Sequence, residues 1–136
     1  MVKVLVFFVA IAIDQATKIF AKSNLLGNGY GVITEKISCN PFIAWSIPLQ
    51  GYWFWLIWFS VVFILIYLIL ELPKNLSLII VLAGAIANFI DRIRYGCVID
   101  FIQIGSFPTF NLADAMITIG ITIFALQLLQ EEKRKL

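Results

Sequence analysis

The chain has 136 residues, 62% of them hydrophobic and 13% charged, with a net charge of +2 and a mean hydropathy of +0.99. A soluble domain is about 45–50% apolar and about 25% charged, so this composition is that of an integral membrane protein, and so small a charge without a basic patch argues against a nucleic-acid partner. With no histidine and only two cysteines, a His/Cys zinc site and a Ser/His or Cys/His nucleophile pair are excluded.

A helix needs about 20 mostly apolar residues to cross a bilayer, and four segments qualify. The first, about 2–20, is unbroken from Val4 to Ile13 before Asp14 and Lys18 enter. As a secretory signal it would have Lys3 and an apolar run, but no good small-residue cleavage site follows. Residues 23–51 form an outer segment. In it Gly27, Gly29 and Gly31 precede VITEKISCN, whose alternation predicts a short strand or hairpin. The apolar PFIAWSIPL that follows is expected to rest on the bilayer surface. The second membrane segment, about 52–70, has only Ser60 off pattern. It opens on Tyr52, Trp53, Trp55 and Trp58, which suits an interfacial belt.

The third segment, about 76–91, ends in Asp91-Arg92. A second outer segment, 93–110, carries VIDFIQI and then a turn at Gly105/Pro108. The fourth membrane segment, about 111–130, leads into EEKRK. The expected fold is all-α: one polytopic membrane domain over 1–136, with four transmembrane helices and a small extracytoplasmic β-like element. Four crossings put both termini on one side, with Lys3, Lys74, Lys133, Arg134 and Lys135. Lys18, Lys22, Lys36, Arg92 and Arg94 lie on the other, a tie. Setting Lys18 and Arg92 aside as buried leaves five against three, which places both termini in the cytoplasm.

The acids divide by type. All four glutamates lie in loops, at helix ends or in the tail. All four aspartates lie at the outer end of a membrane segment or in the loop joining two, so they converge at one depth. Ionisable groups there are costly and are functional candidates. Most have a structural reading as well. Asp14 and Lys18 are spaced for an i,i+4 pair. Asn111 can cap a helix with Asp114 as its acidic third residue. Arg92 can cap carbonyls or reach lipid phosphates. Ala83, Gly84 and Ala87 allow close helix approach, and Gly84, Asn88 and Arg92 share one face. Cys39 and Cys97 read as unpaired small apolar residues, with a disulfide as the lesser alternative.

Asp100 fits no structural reading. It sits in VIDFI with no basic neighbour nearer in sequence than Arg94, so it must find a partner or hold a proton. A second carboxylate sharing one proton would serve, titrating with it as a pair. One member then acts as base towards water while the other, protonated, polarises a substrate carbonyl. Such chemistry needs no metal and no cofactor.

In order, the chain carries D-x-x-x-K in the first helix, Asn40 before Ala44-Trp45-Ser46, G-x-x-x-N-x-x-D-R at 84–92, V-I-D-F at 98–101 and F-N-x-A-D at 110–114. This order closely resembles the bacterial lipoprotein signal peptidase (signal peptidase II) family over nearly the whole chain. The resemblance implies an intramembrane aspartyl endopeptidase with Asp100 and Asp114 as its catalytic pair. It implies supporting or substrate-binding roles for Asp14, Lys18, Asn40, Gly84, Asn88, Arg92 and Asn111. The implied substrate is a lipid-modified precursor peptide cleaved before a diacylglyceryl-cysteine, with membrane lipids as surroundings. The implied place is the outer side of the bacterial cytoplasmic (inner) membrane, with the protein a monomer. Three features depart from the family pattern: Asn40-Pro41-Phe42 lacks a glycine, Ala83 replaces the first of a glycine pair, and the Asp100–Asp114 stretch is short.

The alternative is a small proton or ion translocator using the buried acids as a relay. It predicts polar groups through the full depth of the helices. The cytoplasmic halves of the first and fourth, Val4–Ile13 and Ile121–Leu129, offer only Thr122 and Gln127, and the second helix only Ser60. A non-catalytic helper subunit would have no use for Asp100 opposite Asp114.

Overall fold

Four helices and two short strands carry residues 1–25, 37–41 and 51–135, the parts of the chain that the computed structural model describes. Their order is α1 (Val2–Leu25), β1 (Ser38–Asn40), α2 (Tyr52–Glu71), α3 (Ser77–Tyr95), β2 (Val98–Asp100) and α4 (Leu112–Lys135). Most helices outrun their apolar segments by several residues, because backbone hydrogen bonding continues where hydropathy ends. Val2–Ser23, α2 and α4 are long and apolar enough to cross a membrane. α3 is different: it carries Asp91, Arg92 and Arg94 near its C-terminal end and is also the most enclosed helix, with nine buried residues.

α3 is the axis of the packing, set most extensively against α4, then α1, then α2. A tight turn enters it: the Asn75 N–H donates to Leu72 O (3.0 Å) around Pro73 and Lys74. The Asn75 Oδ1 then accepts the Ser77 N–H at 3.1 Å. Along the N-terminal half of α3, Leu65, Leu78 and Val81 form a core with Leu68, Ile117 and Phe124 against it. Trp58 stacks on Phe89, with ring centroids 4.1 Å apart.

Two glycines set the α3–α4 distance. A Cβ on Gly84 would sit 2.7 Å from the Ala113 carbonyl oxygen and 2.8 Å from Ile117 Cγ1. One on Gly120 would sit 2.6 Å from Val81 Cγ2 and 3.0 Å from Ser77 O. This is the small-residue contact that lets membrane helices approach. Alanine favours a helix over glycine by about 1 kcal/mol. The backbone at Ala113 cannot retreat without moving the start of α4, however, and overpacking costs about 1–3 kcal/mol. Gly84→Ala is therefore expected to lower the melting temperature in detergent; an unchanged or higher value would show that the two helices have room to part.

The strands join the connection between α1 and α2 to that between α3 and α4. β1 and β2 are antiparallel, with Ser38 opposite Asp100, Cys39 opposite Ile99 and Asn40 opposite Val98. A disulfide links Cys39 to Cys97, with Cα atoms 5.4 Å apart. This corrects the expectation of unpaired cysteines. The two lie 58 positions apart in different segments, and only strand pairing brings them together, so nothing local in sequence signalled the bond. Residues 38–40 of the VITEKISCN stretch form a strand as expected. Residues 32–36 of that stretch, and 42–49 of PFIAWSIPL, lie outside the described residues.

Candidate active site

Asp100 reaches its place through a short hand-off from α3. Gly96 ends the helix in the left-handed region (φ 73°) and its N–H donates to Arg92 O at 3.0 Å, a glycine C-cap. Two residues later β2 begins and turns Asp100 inward, where it is 2% exposed. Its partners are amides. Asn111 Nδ2 donates to Oδ1 at 2.7 Å and Asn40 Nδ2 to Oδ2 at 3.3 Å. Asn40 lies on the same sheet face, one diagonal step across the strand pair.

Burial first, and the charge of Asp114 second, raise the Asp100 pKa from 3.8 to about 6 against the opposing effects of the Asn40 and Asn111 amides and the Lys18 charge. The sign of the consequence follows from linkage. Below about pH 4 both folded and unfolded chains hold the proton and the effect is nil. Between 3.8 and about 6 the unfolded chain loses its proton first, so Asp100 destabilises the fold increasingly, reaching at most about 3 kcal/mol above that window. Asp100→Asn, which cannot ionise, is expected to melt higher than the parent at pH 7–8, with the gap closing near pH 4. A gap that does not vary with pH would contradict the shift.

Asp114 comes from the start of α4, and its capping reading holds. The Asn111 Oδ1 accepts the Asp114 N–H at 2.9 Å, and Asp114 Oδ2 accepts the Asn111 N–H at 3.2 Å. This is a reciprocal capping box with aspartate in the acidic position. Its other oxygen, Oδ1, accepts from Asn88 Nδ2 at 2.8 Å and is turned toward α3. The chain between the two aspartates folds back on itself. Ile102 and Phe110 pair by hydrogen bonds in both directions (2.8 and 2.9 Å), and Gly105 occupies the positive-φ position (56°) at the tip.

Behind the aspartates lies a buried charge cluster. Lys18 Nζ is 2.8 Å from Asp14 Oδ2 and 2.8 Å from Asp91 Oδ2, and it donates to Asn88 Oδ1 at 3.0 Å. Asp14 is therefore paired within α1 as its spacing suggests, but its second oxygen accepts the Ala113 N–H at 2.8 Å, an orphan donor at the N-terminus of α4. Asn111 Nδ2 also donates to Asn88 Oδ1 at 3.0 Å. Asn88 thus ties Lys18 and Asn111 to Asp114.

A cavity of about 460 Å³ opens in front of this network. Asn40, Asn88, Arg92, Asp100 and Asp114 supply its polar wall, and Phe107, Phe110, Ile117 and Ile119 are among its apolar ones. Arg92 donates from Nη1 to Asn88 O at 3.3 Å and lies over the Phe54 ring, 5.1 Å from its centroid. Of the residues expected at the site, Asp14, Lys18 and Asn111 stand behind the cavity as buried support. Gly84 stands further off, at the α3–α4 crossing. Ala44-Trp45-Ser46 lies outside the described residues. Two participants were not singled out for the site: Asp91 and Gln15, whose Nε2 donates to Asp91 Oδ1 at 2.9 Å and to Ala87 O at 3.2 Å. Asp91 had a signal, its place beside Arg92 in the polar cluster. Gln15 had none beyond following Asp14.

Residues 6–130 match the family model described as Signal peptidase (SPase) II. The chain is 34% identical to the lipoprotein signal peptidase of Listeria welshimeri, over 96% of this chain and 94% of that one. It is 37% identical to the lipoprotein signal peptidase of Shouchella clausii, over 96% of each. Among solved structures, a bacterial membrane enzyme determined by the in meso method at 2.3 Å superposes with a TM-score of 0.81. That match has 30% identity and covers 99% of this chain and 92% of the other.

Proposed function

The chain belongs to the signal peptidase II family, and from that premise we propose that it is an aspartic endopeptidase that removes signal peptides from diacylglyceryl-modified precursors, cutting immediately before the lipidated cysteine. The observation that carries this reading is that Asp100 and Asp114, from different elements, face one partly apolar cavity. In the same proposal α3 is a fourth crossing, both termini are cytoplasmic, and the monomeric enzyme works at the outer side of the bacterial cytoplasmic membrane. The acyl chains of the substrate stay in lipid while the scissile bond reaches the aspartates.

The two acids have distinct tasks. Asp114 sits in the first turn of α4, where the helix dipole favours negative charge, and acts as base. It takes a proton from water as the water oxygen bonds to the scissile carbonyl carbon. Asp100, whose burial favours the neutral form, gives its proton to the carbonyl oxygen. As the C–N bond breaks, Asp114 delivers its proton to the leaving nitrogen and Asp100 regains one from the hydroxyl. Asn88 and Asn111 hold the carboxyl groups in register, and Arg92 lines the cavity where the substrate backbone lies. Asp14 and Lys18 support from behind, with Asn40 fixing the far oxygen of Asp100. An ion relay has no support: the buried ionisable groups gather at one end of the bundle, and Val4–Ile13 of α1 and Ile121–Leu129 of α4 have none to continue a path.

The test is direct. The purified chain in detergent micelles is given a diacylglyceryl-modified precursor peptide and, separately, the same peptide with a free thiol. Mass spectrometry is expected to find a new N-terminus at the modified cysteine only. No cleavage at that bond would overturn the assignment.

A further inference from the structure

Asp91 makes a contact that its charge pairing does not require. Its Oδ2 already faces Lys18 Nζ at 2.8 Å and its Oδ1 accepts from Gln15 at 2.9 Å, yet Oδ2 also accepts the backbone N–H of Ile99 at 3.2 Å. Ile99 is the middle residue of β2 and the immediate neighbour of Asp100. In an antiparallel pair, alternate N–H groups point away from the partner strand. Among the described residues β2 pairs only with β1, so the outward N–H at Ile99 would otherwise be a buried, unpaired donor: Ile99 is 4% exposed. The Asp91 carboxylate, itself 1% exposed, occupies the position that a third strand would fill. β2 is thereby held on one edge by β1 and on the other by α3.

We propose that Asp91 is a positioning residue: its carboxylate, oriented by Gln15 and Lys18, clamps the Ile99 amide and so fixes the strand that presents Asp100 to the cavity. This rests on the reading of Asp100 as catalytic. The same Lys18 ammonium that holds Asp91 also reaches Asn88 (3.0 Å), which holds Asp114. One buried cation therefore sets the position of both aspartates, through Asp91 and Ile99 on one side and through Asn88 on the other. Misplacement of a reacting group by about 1 Å costs on the order of 10²-fold in rate, so a clamp one residue away from Asp100 has a large lever.

The experiment uses the full chain in detergent micelles, a diacylglyceryl-modified peptide as substrate and hydrogen exchange of the Ile99 amide. Asp91→Ala is expected to lower kcat by on the order of 10²-fold with KM little changed, and to speed exchange at Ile99. Asp91→Asn retains a carbonyl oxygen that can accept the same N–H, so it is expected to restore protection and most of kcat. Gln15→Met, which removes the bond that orients Asp91 together with the longer contacts to Ala87 O and Asp14 Oδ2 but leaves the Asp91 carboxylate in place, is expected to give a smaller loss in the same direction and decides the matter if Asp91→Ala does not fold. Unchanged Ile99 protection in Asp91→Ala overturns the clamp, as does full kcat. So does an Asp91→Asn variant that regains protection without regaining rate. Asp100→Asn in the same assay tests the catalytic reading on its own: if it still cleaves, that reading fails, while exchange at Ile99 still reports whether Asp91 holds the strand.

Discussion

Asp100→Asn and Asp114→Asn are each expected to reduce cleavage of a diacylated precursor by roughly 10³-fold, within the range of about 10²–10⁴ that positioned acid–base groups contribute. Both substitutions keep shape and volume, so the chain should still accumulate in the membrane. Their structural costs differ. At position 100 an asparagine keeps one acceptor for the Asn111 amide (2.7 Å), the Asn40 amide can turn to meet the new NH₂, and an ionisable group leaves a buried site. The variant is then inactive yet more stable at neutral pH, the trade expected where a site is built against stability. At position 114 both carboxylate oxygens are in use, one by Asn88 and one by the Asn111 N–H. Losing an acceptor there weakens the cap by about 1 kcal/mol. Single-turnover cleavage and thermal unfolding in the same detergent separate the two effects. If either variant cleaves at the parent rate, the dyad mechanism is wrong.

Lys18→Met is expected to have the largest effect on folding. The side chain is 4% exposed and neutralises two carboxylates that are themselves sealed from water. Removing one partner of a buried pair costs about 3–5 kcal/mol, because the remaining charge is uncompensated, and here two charges remain. That is comparable with the lower end of whole-domain stability, about 5 kcal/mol. The protein should therefore accumulate poorly and lose its cooperative melt in detergent. Adding Asp91→Asn removes one stranded charge and should recover part of the loss. A Lys18→Met chain that melts within a few degrees of the parent would mean that water reaches the cluster, and that its carboxylates need no cation.

How much of this was legible in the sequence depends on range. The helices were readable from runs such as Val4–Ile13, because lipid imposes a length and a hydropathy on any span. The convergence of Asp14, Lys18, Asn88, Asp100 and Asp114 was readable too, since helices of similar length in alternating directions bring equivalent ends together. Asn111 and Asp114 show why two readings need not compete: the capping box and the candidate site use the same atoms. What escaped was pairing between distant segments. Cys39 and Cys97 lie 58 positions apart and become neighbours only through the register of β1 on β2. The role of Asp91 depends on which way one amide of β2 points, and that orientation has no local sequence signature. Gly84 was placed among the supporting residues and is buried against Ala113 and Ile117, where its missing side chain is what brings the start of α4 beside α3.

The enclosed and charged character of α3 bears on how the protein is made. Each ionisable group in a lone span costs about 2.5–3.5 kcal/mol, against about 0.3–0.6 gained per large apolar residue, so Asp91, Arg92 and Arg94 make α3 a poor candidate for entering lipid unaided. Its carboxylate is neutralised by Lys18, which arrives on α1, and its amide at Asn88 is met from α1 and α4. Synthesis from the N-terminus delivers α1, and with it the cation, before α3. Until α1 and α3 have joined, the Asp91 carboxylate lacks its Lys18 cation and Asn88 lacks its partner from α1.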